Sequence, residues 1–179
     1  MRARYPTRHQ VSSVSAETLA AFLSPLFIET GTNVGHGVQA ALDAGFERVM
    51  SFEADDELFC LARDRFAGDV RVELYHGLSE VLLPSVTRWL HDPSTFYLDA
   101  HSAECNPLLR ELEAVALSPC CLHTILIDDV RMFGTSDWHG LTESEARSLL
   151  LGINPAYEFS YAPTFNGPAD LLVARPRTS

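Results

Sequence analysis

The sequence contains no lysine. All thirteen basic residues are arginine, set against twenty-four acids, and the formal net charge at pH 7 is −11. Such a chain lacks the basic surplus that neutralises a phosphate backbone, which argues against a nucleic-acid partner. Arg2, Arg4 and Arg8 crowd one end, and residues 1–12 read as a flexible, solvated tail. Long apolar runs are missing as well. Pro25 interrupts the stretch from Leu19 to Ile28, no small-residue cleavage pattern follows it, and nothing approaches the roughly 20 apolar residues of a membrane span. A soluble, cytoplasmic protein is the expectation.

Cysteine is scarce and unpatterned. Cys60, Cys105, Cys120 and Cys121 form no C-x-x-C pair, and a chain of 179 residues can bury enough core to fold without disulfides. With His101 and His123 they match no zinc-finger or ribbon spacing. There is no solenoid repeat and no low-complexity tract, so residues 1–179 read as a single domain.

What is present is an alternation of strand and helix patterns. Ser15 caps a short helix that Pro25 closes. Strands are expected at Leu26–Glu29, Arg48–Glu53, Val70–Tyr75, Thr95–Asp99 and His123–Asp128. Helices are expected at Val34–Ala44, Asp56–Phe66, Ser79–Leu90, Pro107–Leu117 and from the Thr142–Glu145 capping box to Gly152. Pro84 should kink its helix or delay its start. Tyr157–Tyr161 and Leu171–Ala174 are joined by a Pro/Gly/Asn turn and should form an antiparallel hairpin. The pattern predicts an α/β, doubly wound, mostly parallel sheet of seven strands with a C-terminal antiparallel hairpin. Ligands of such sheets bind beyond the carboxyl ends of the strands. Four of the first five strands end there in acids: Glu29, Glu53, Asp99 and Asp128-Asp129.

Glu29-Thr-Gly31-Thr32-Asn33-Val-Gly35 joins the first strand to a helix. Glycines there permit close backbone approach and present N–H groups at a helix N-terminus. Asn33 is one of the few non-glycine residues that tolerates the left-handed conformation. Glu53 lies about twenty residues beyond the loop, where an acid can accept both hydroxyls of a ribose; it could equally cap the helix that follows. A nicotinamide dinucleotide is the competing ligand. Glu29 beside a pyrophosphate would repel it, whereas beside an α-ammonium group it attracts.

The loop, Glu53, the Gly77-Leu78-Ser79 segment and the terminal hairpin together resemble class I S-adenosylmethionine-dependent methyltransferases, over roughly residues 15 to 176. The match keeps the acid and the outer glycines of the acid-x-Gly-x-Gly-x-Gly motif, with Asn33 in place of the middle one. The resemblance implies a cofactor shell of Glu29, Gly31, Thr32, Asn33, Gly35, Glu53, Ala54 and Ser79. Glu29 would approach the methionine amino group, often through water, and Glu53 would hold the ribose. Leu78-Ser79 stand where the family usually carries an adenine-contacting acid.

Asp99, Asp128 and Asp129 form the second constellation. Three clustered carboxylates repel one another unless protonated or bridged by a cation, and Mg²⁺ takes oxygen ligands while keeping positions open. The Asp99-Ala-His101 and Asp128-Asp129 motifs resemble the metal sites of catechol- and macrocin-type O-methyltransferases, and also FkbM-like relatives. Asp99 and Asp128 are the stronger expected ligands, since the second member of a doublet can point away. His101 is either a catalytic base or an ordinary loop histidine, and Arg131 either touches substrate or neutralises the cluster. The expected activity is Mg²⁺-assisted methyl transfer to a hydroxyl of a small sugar- or catechol-like molecule. The segment from Arg131 to Leu141 is the substrate loop, and a homodimer could complete the site. A non-catalytic S-adenosylmethionine binder is the alternative.

Overall fold

Period-two alternation of large apolar residues builds the sheet. In the computed structural model, which describes residues 14–101 and 106–177, the strands are β1 (Leu26–Thr30), β2 (Arg48–Glu53), β3 (Val72–His76), β4 (Thr95–Leu98), β5 (Thr124–Ile127), β6 (Tyr157–Thr164) and β7 (Gly167–Pro176). Their order is β3-β2-β1-β4-β5-β7-β6, with the first five parallel and β7 antiparallel to both β5 and β6. Residues 1–12, read as a tail, lie outside the described residues.

Alternate residues of β1, β4 and β5 feed two separate cores. Ile28, Phe96, Leu98, Ile125 and Ile127 pack with Leu83, Leu112, Ala146 and Leu150 on one face. Those partners come from α4 (Ser79–Thr87), α5 (Leu108–Val115) and α6 (Glu143–Ile153). Phe27, Tyr97 and Leu126 point the other way, onto Leu19, Val38, Ala41, Leu42 and Phe66. There the helices are α1 (Ala16–Leu19), α2 (His36–Ala44) and α3 (Asp56–Arg65). Strands covered on both faces read as continuous apolar runs, which is why β1, β4 and β5 do.

The helix signals act as expected at three ends. Ser15 and Thr142 cap α1 and α6, Thr142 through a full capping box, and Gly45 closes α2 in the left-handed conformation. Two expectations differ. α4 starts at Ser79 and runs on through Pro84, so the proline costs one ladder bond and does not delay the helix. The hairpin is longer than its apolar core, eight and ten residues instead of five and four. Pro163 and the irregularity between Ala162 and Thr164 break the alternation that marks a strand, yet an edge strand tolerates both.

Candidate functional site

β1 lies between β2 and β4, so chain direction across the sheet reverses there, and the carboxyl ends of these strands frame a crevice. On one side the β1–α2 loop folds through three left-handed residues, Gly31, Asn33 and Gly35. A Cβ on Gly31 would sit 2.9 Å from the Asp99 carbonyl oxygen, so only glycine lets this loop close on the end of β4. Asn33 takes the left-handed position, as its side chain permits.

Glu53 holds the loop in place. One carboxylate oxygen accepts the Asn33 N–H at 2.6 Å and the other the Asp55 N–H at 2.9 Å. The capping role left open for Glu53 belongs to Asp55, which accepts from the N–H groups of Glu57 and Leu58. Each Glu53 oxygen keeps a second lone pair for a ligand hydroxyl. Thr32 turns inward, its hydroxyl 2.6 Å from that of Ser51, while Ala54 is exposed beside Glu53.

Glu29 lies deeper than the sequence suggested. It is 2% exposed, accepts the Ser51 hydroxyl at 2.6 Å, and is roofed by α2: a Cβ on Gly37 would come within 1.7 Å of its Oε1. Burial pushes its pKa up to about 8, with the Ser51 hydrogen bond opposing and the Glu53 charge adding. Ser79 is engaged as well. Its hydroxyl is buried and donates at 2.5 Å to Glu111 on α5, a partner the sequence did not suggest. Burial raises Glu111 to about 7.

Across the crevice are the ends of β4 and β5. Asp99, Asp128 and Asp129 converge, and burial, followed by the charges of Asp128, Asp129 and Glu29, holds Asp99 well above the usual carboxylate range. Both members of the doublet are buried, and they have different partners. Asp128 accepts the Tyr97 hydroxyl at 2.5 Å and the Asp129 N–H at 2.7 Å. Asp129, left-handed at φ 60°, turns toward His101, whose Nε2 is 3.5 Å from its Oδ2. Among the described residues, the ligand sets whose atoms lie within 4.8 Å of one another are Asp99–His101–Asp129 and Asp128–Asp129–Asp170.

Arg131 resolves as the internal counter-charge. Its guanidinium is 2.7 Å from Asp129 and bonds Asp170 of β7 as well. The expected substrate loop is partly a core element, since Trp138 is only 4% exposed and packs edge-on against Phe133. Sequence reasoning missed Ser51, Glu111 and Asp170. Two carried a signal: Glu111 interrupts the apolar face Leu108–Leu112–Val115 of α5, and Asp170 stands directly before the apolar run Leu171–Ala174.

This is the Rossmann-like methyltransferase fold. Neither a known family model nor a curated protein sequence matches the chain. Solved structures match it in shape. The O-methyltransferase from Bacillus cereus in complex with SAH has a TM-score of 0.65 at 17% identity, covering 90% of this chain and 78% of that one. The SAH-bound methyltransferase of Podospora anserina gives 0.58 at 17% identity, over 86% and 72%. An rRNA methylase from Streptococcus thermophilus gives 0.56 at 13% identity, over 91% and 94%. Likeness at these identities is likeness of fold.

The donor sets suit the groups the fold implies. The N–H groups of Gly31, Asn33 and Gly35 are taken up by the Phe52 carbonyl, Glu53 and the Thr32 carbonyl, so the loop offers close backbone approach, and Glu53 offers paired acceptors for an adenosyl ligand. Asp99, Asp129 and a neighbouring imidazole suit a divalent cation.

Proposed function

We propose that this chain binds S-adenosylmethionine across the β1–β4 switch point and catalyses methyl transfer to a hydroxyl of a small molecule, assisted by Mg²⁺. The observation that carries the reading is the left-handed Gly31–Asn33–Gly35 loop, pinned by Glu53 and facing three carboxylates on the adjoining strand ends. When bound, S-adenosylmethionine supplies an electrophilic methyl, and a divalent cation lowers the pKa of a bound hydroxyl.

The chain's own residues do the rest. Glu53 orients a ribose through its remaining lone pairs. Glu29, neutral below about pH 8, gives up its proton when a cationic amino group comes near. Asp99 and Asp129 would hold the cation, leaving His101, 3.5 Å from Asp129, to take the acceptor's proton instead of serving as a third ligand. Positioning of this kind can contribute roughly 7–11 kcal/mol. The net charge of −11 favours a small acceptor over a nucleic acid. A metal-free variant of the reading has its own observation: Arg131 already places a fixed positive charge against Asp129.

Calorimetry with S-adenosylhomocysteine and with NADH tests the cofactor. S-adenosylhomocysteine should bind and NADH should not. Glu53→Ala should weaken binding tenfold or more, since hydrogen bonds to charged groups are worth about 1.5–3 kcal/mol each. Binding of NADH alone would overturn the assignment. Chelator separates the two variants: activity lost with EDTA and restored by Mg²⁺ supports the cation, and unchanged activity supports Arg131.

A further inference from the structure

Among the described residues, three buried side-chain polar atoms have no hydrogen-bond partner: Asn106 Nδ2, Glu111 Oε2 and Trp138 Nε1. They come from three separate elements, the segment before α5, α5 itself and the loop after β5. All three residues nevertheless line one cavity of about 10 Å³, which Asp99, His101 and Asp128 also border. Glu111 and Trp138 are 0% and 4% exposed. Unpartnered buried polar atoms are rare in folded proteins, and each one calls for an explanation. Three around a single void call for a common one.

We propose that this cavity is the innermost subsite for the acceptor molecule, and that it takes a second hydroxyl, distinct from the one that is methylated. The inference rests on the methyltransferase reading for its word "acceptor" and on the three side chains for the subsite. A hydroxyl oxygen accepts two hydrogen bonds and donates one. The indole and the amide can only donate from these nitrogens, and the outstanding oxygen of Glu111 accepts when the carboxyl is ionised. One hydroxyl therefore satisfies all three at once. The volume admits a water-sized group, roughly 10–15 Å³, and nothing larger. Glu111 and Trp138 form a buried wall, whereas Asn106, Asp99 and Ala100 are half-buried and His101 is exposed. A group entering from the His101 side would reach the three polar atoms with the rest of its molecule beside the reacting edge. An apolar substituent in the same place would leave all three stranded, and sites built around a substrate hydroxyl reject analogues lacking it by roughly 10⁴-fold. The acceptor class is thus a small polyol or catechol-like molecule with at least two hydroxyls.

The chain has two tryptophans, and Trp89 is 77% exposed. In ¹⁵N-labelled full-length protein the Trp138 indole N–H therefore gives a reporter with its own internal control. Ethylene glycol, catechol and anisole are titrated separately, with and without saturating S-adenosylhomocysteine. We expect a saturable shift of the Trp138 signal with the two diols, none with anisole, and a still Trp89 signal. Asn106→Leu and Glu111→Gln should weaken diol binding tenfold or more, with no loss of melting temperature. Should one of them fail to fold, Trp138→Phe removes a donor while keeping an aromatic ring, and the same loss is then read by ligand-observed NMR. No saturable shift with either diol, or an equal shift with anisole, makes the cavity a hydration site and overturns the proposal. Absence of S-adenosylhomocysteine binding with the diol shifts retained overturns the methyl-transfer reading instead and leaves the subsite standing.

Discussion

The two sides of the crevice solve the same electrostatic problem differently. On the β1–β2 side, acids are shielded one by one: Ser51 bonds Glu29, and two backbone N–H groups bond Glu53. On the β4–β5 side the acids face each other, with the Tyr97 hydroxyl bonding Asp128 and one half-exposed arginine offsetting Asp129, and polar atoms go unpaired nearby. The first arrangement is complete without a ligand and suits a site that must keep its shape. The second has charge and hydrogen-bonding capacity outstanding, which is what a reacting edge requires. Binding and chemistry are thus divided along the line between β1 and β4.

The comparison is most exposed to a change at Glu29. Its pKa is raised from 4.5 to about 8 by burial, so the folded chain binds a proton there that the unfolded chain has released. Stability must then fall as pH rises through that window, by an amount on the order of a few kcal/mol. Glu29→Gln should be more stable than the parent at pH 9 and about equal near pH 4, by thermal melts across the range. Parallel curves would mean that Glu29 is not held neutral, and the contrast between the two sides would collapse. Gly37→Ala comes next. The new methyl group collides with Glu29 Oε1, and displacing a packed side chain typically costs about 1–3 kcal/mol. Chemical denaturation should show that loss, and the double variant Gly37→Ala/Glu29→Ala should recover part of it.

Smaller effects belong to the β4–β5 side, where the arginine reaches its buried carboxylates from solvent. Arg131→Ala should cost about 1 kcal/mol, given that its side chain is 42% exposed, and should steepen the response to added cation. A larger loss would show Arg131 to be structural and not merely a counter-charge. Smallest is the cation itself. At half occupancy Mg²⁺ should stabilise the fold by about 0.4 kcal/mol. Asp129→Asn should abolish this gain and Asp128→Asn should reduce it less. The reverse ranking would return Asp128 to the role the sequence suggested.

Local features were legible in the sequence and distant ones were not. The left-handed Asn33, the Thr142 capping box and the order of strands and helices all depend on neighbours within a few residues, so residue types alone announce them. The acids at the strand ends were legible because the fold rule places every parallel strand end on one edge. The separate partners of Asp128 and Asp129 were not, because they turn on a backbone φ of 60° at Asp129. Arg131 and Asp170 are 39 residues apart, and only the antiparallel pairing of β7 with β5 brings them together. The bond from Ser79 to Glu111, 32 residues on, is likewise invisible to local spacing.

The strand order also sets a schedule. β7 lies between β5 and β6, although β6 precedes it in the chain. As the polypeptide emerges from the ribosome, β6 has no place in the sheet until β7 follows and wedges in beside β5. Asp170 arrives on that same strand, so Arg131 gains its second anchor at the moment the sheet closes. A nascent chain halted after β6 would expose the apolar flank of β5 and carry its acids only partly neutralised.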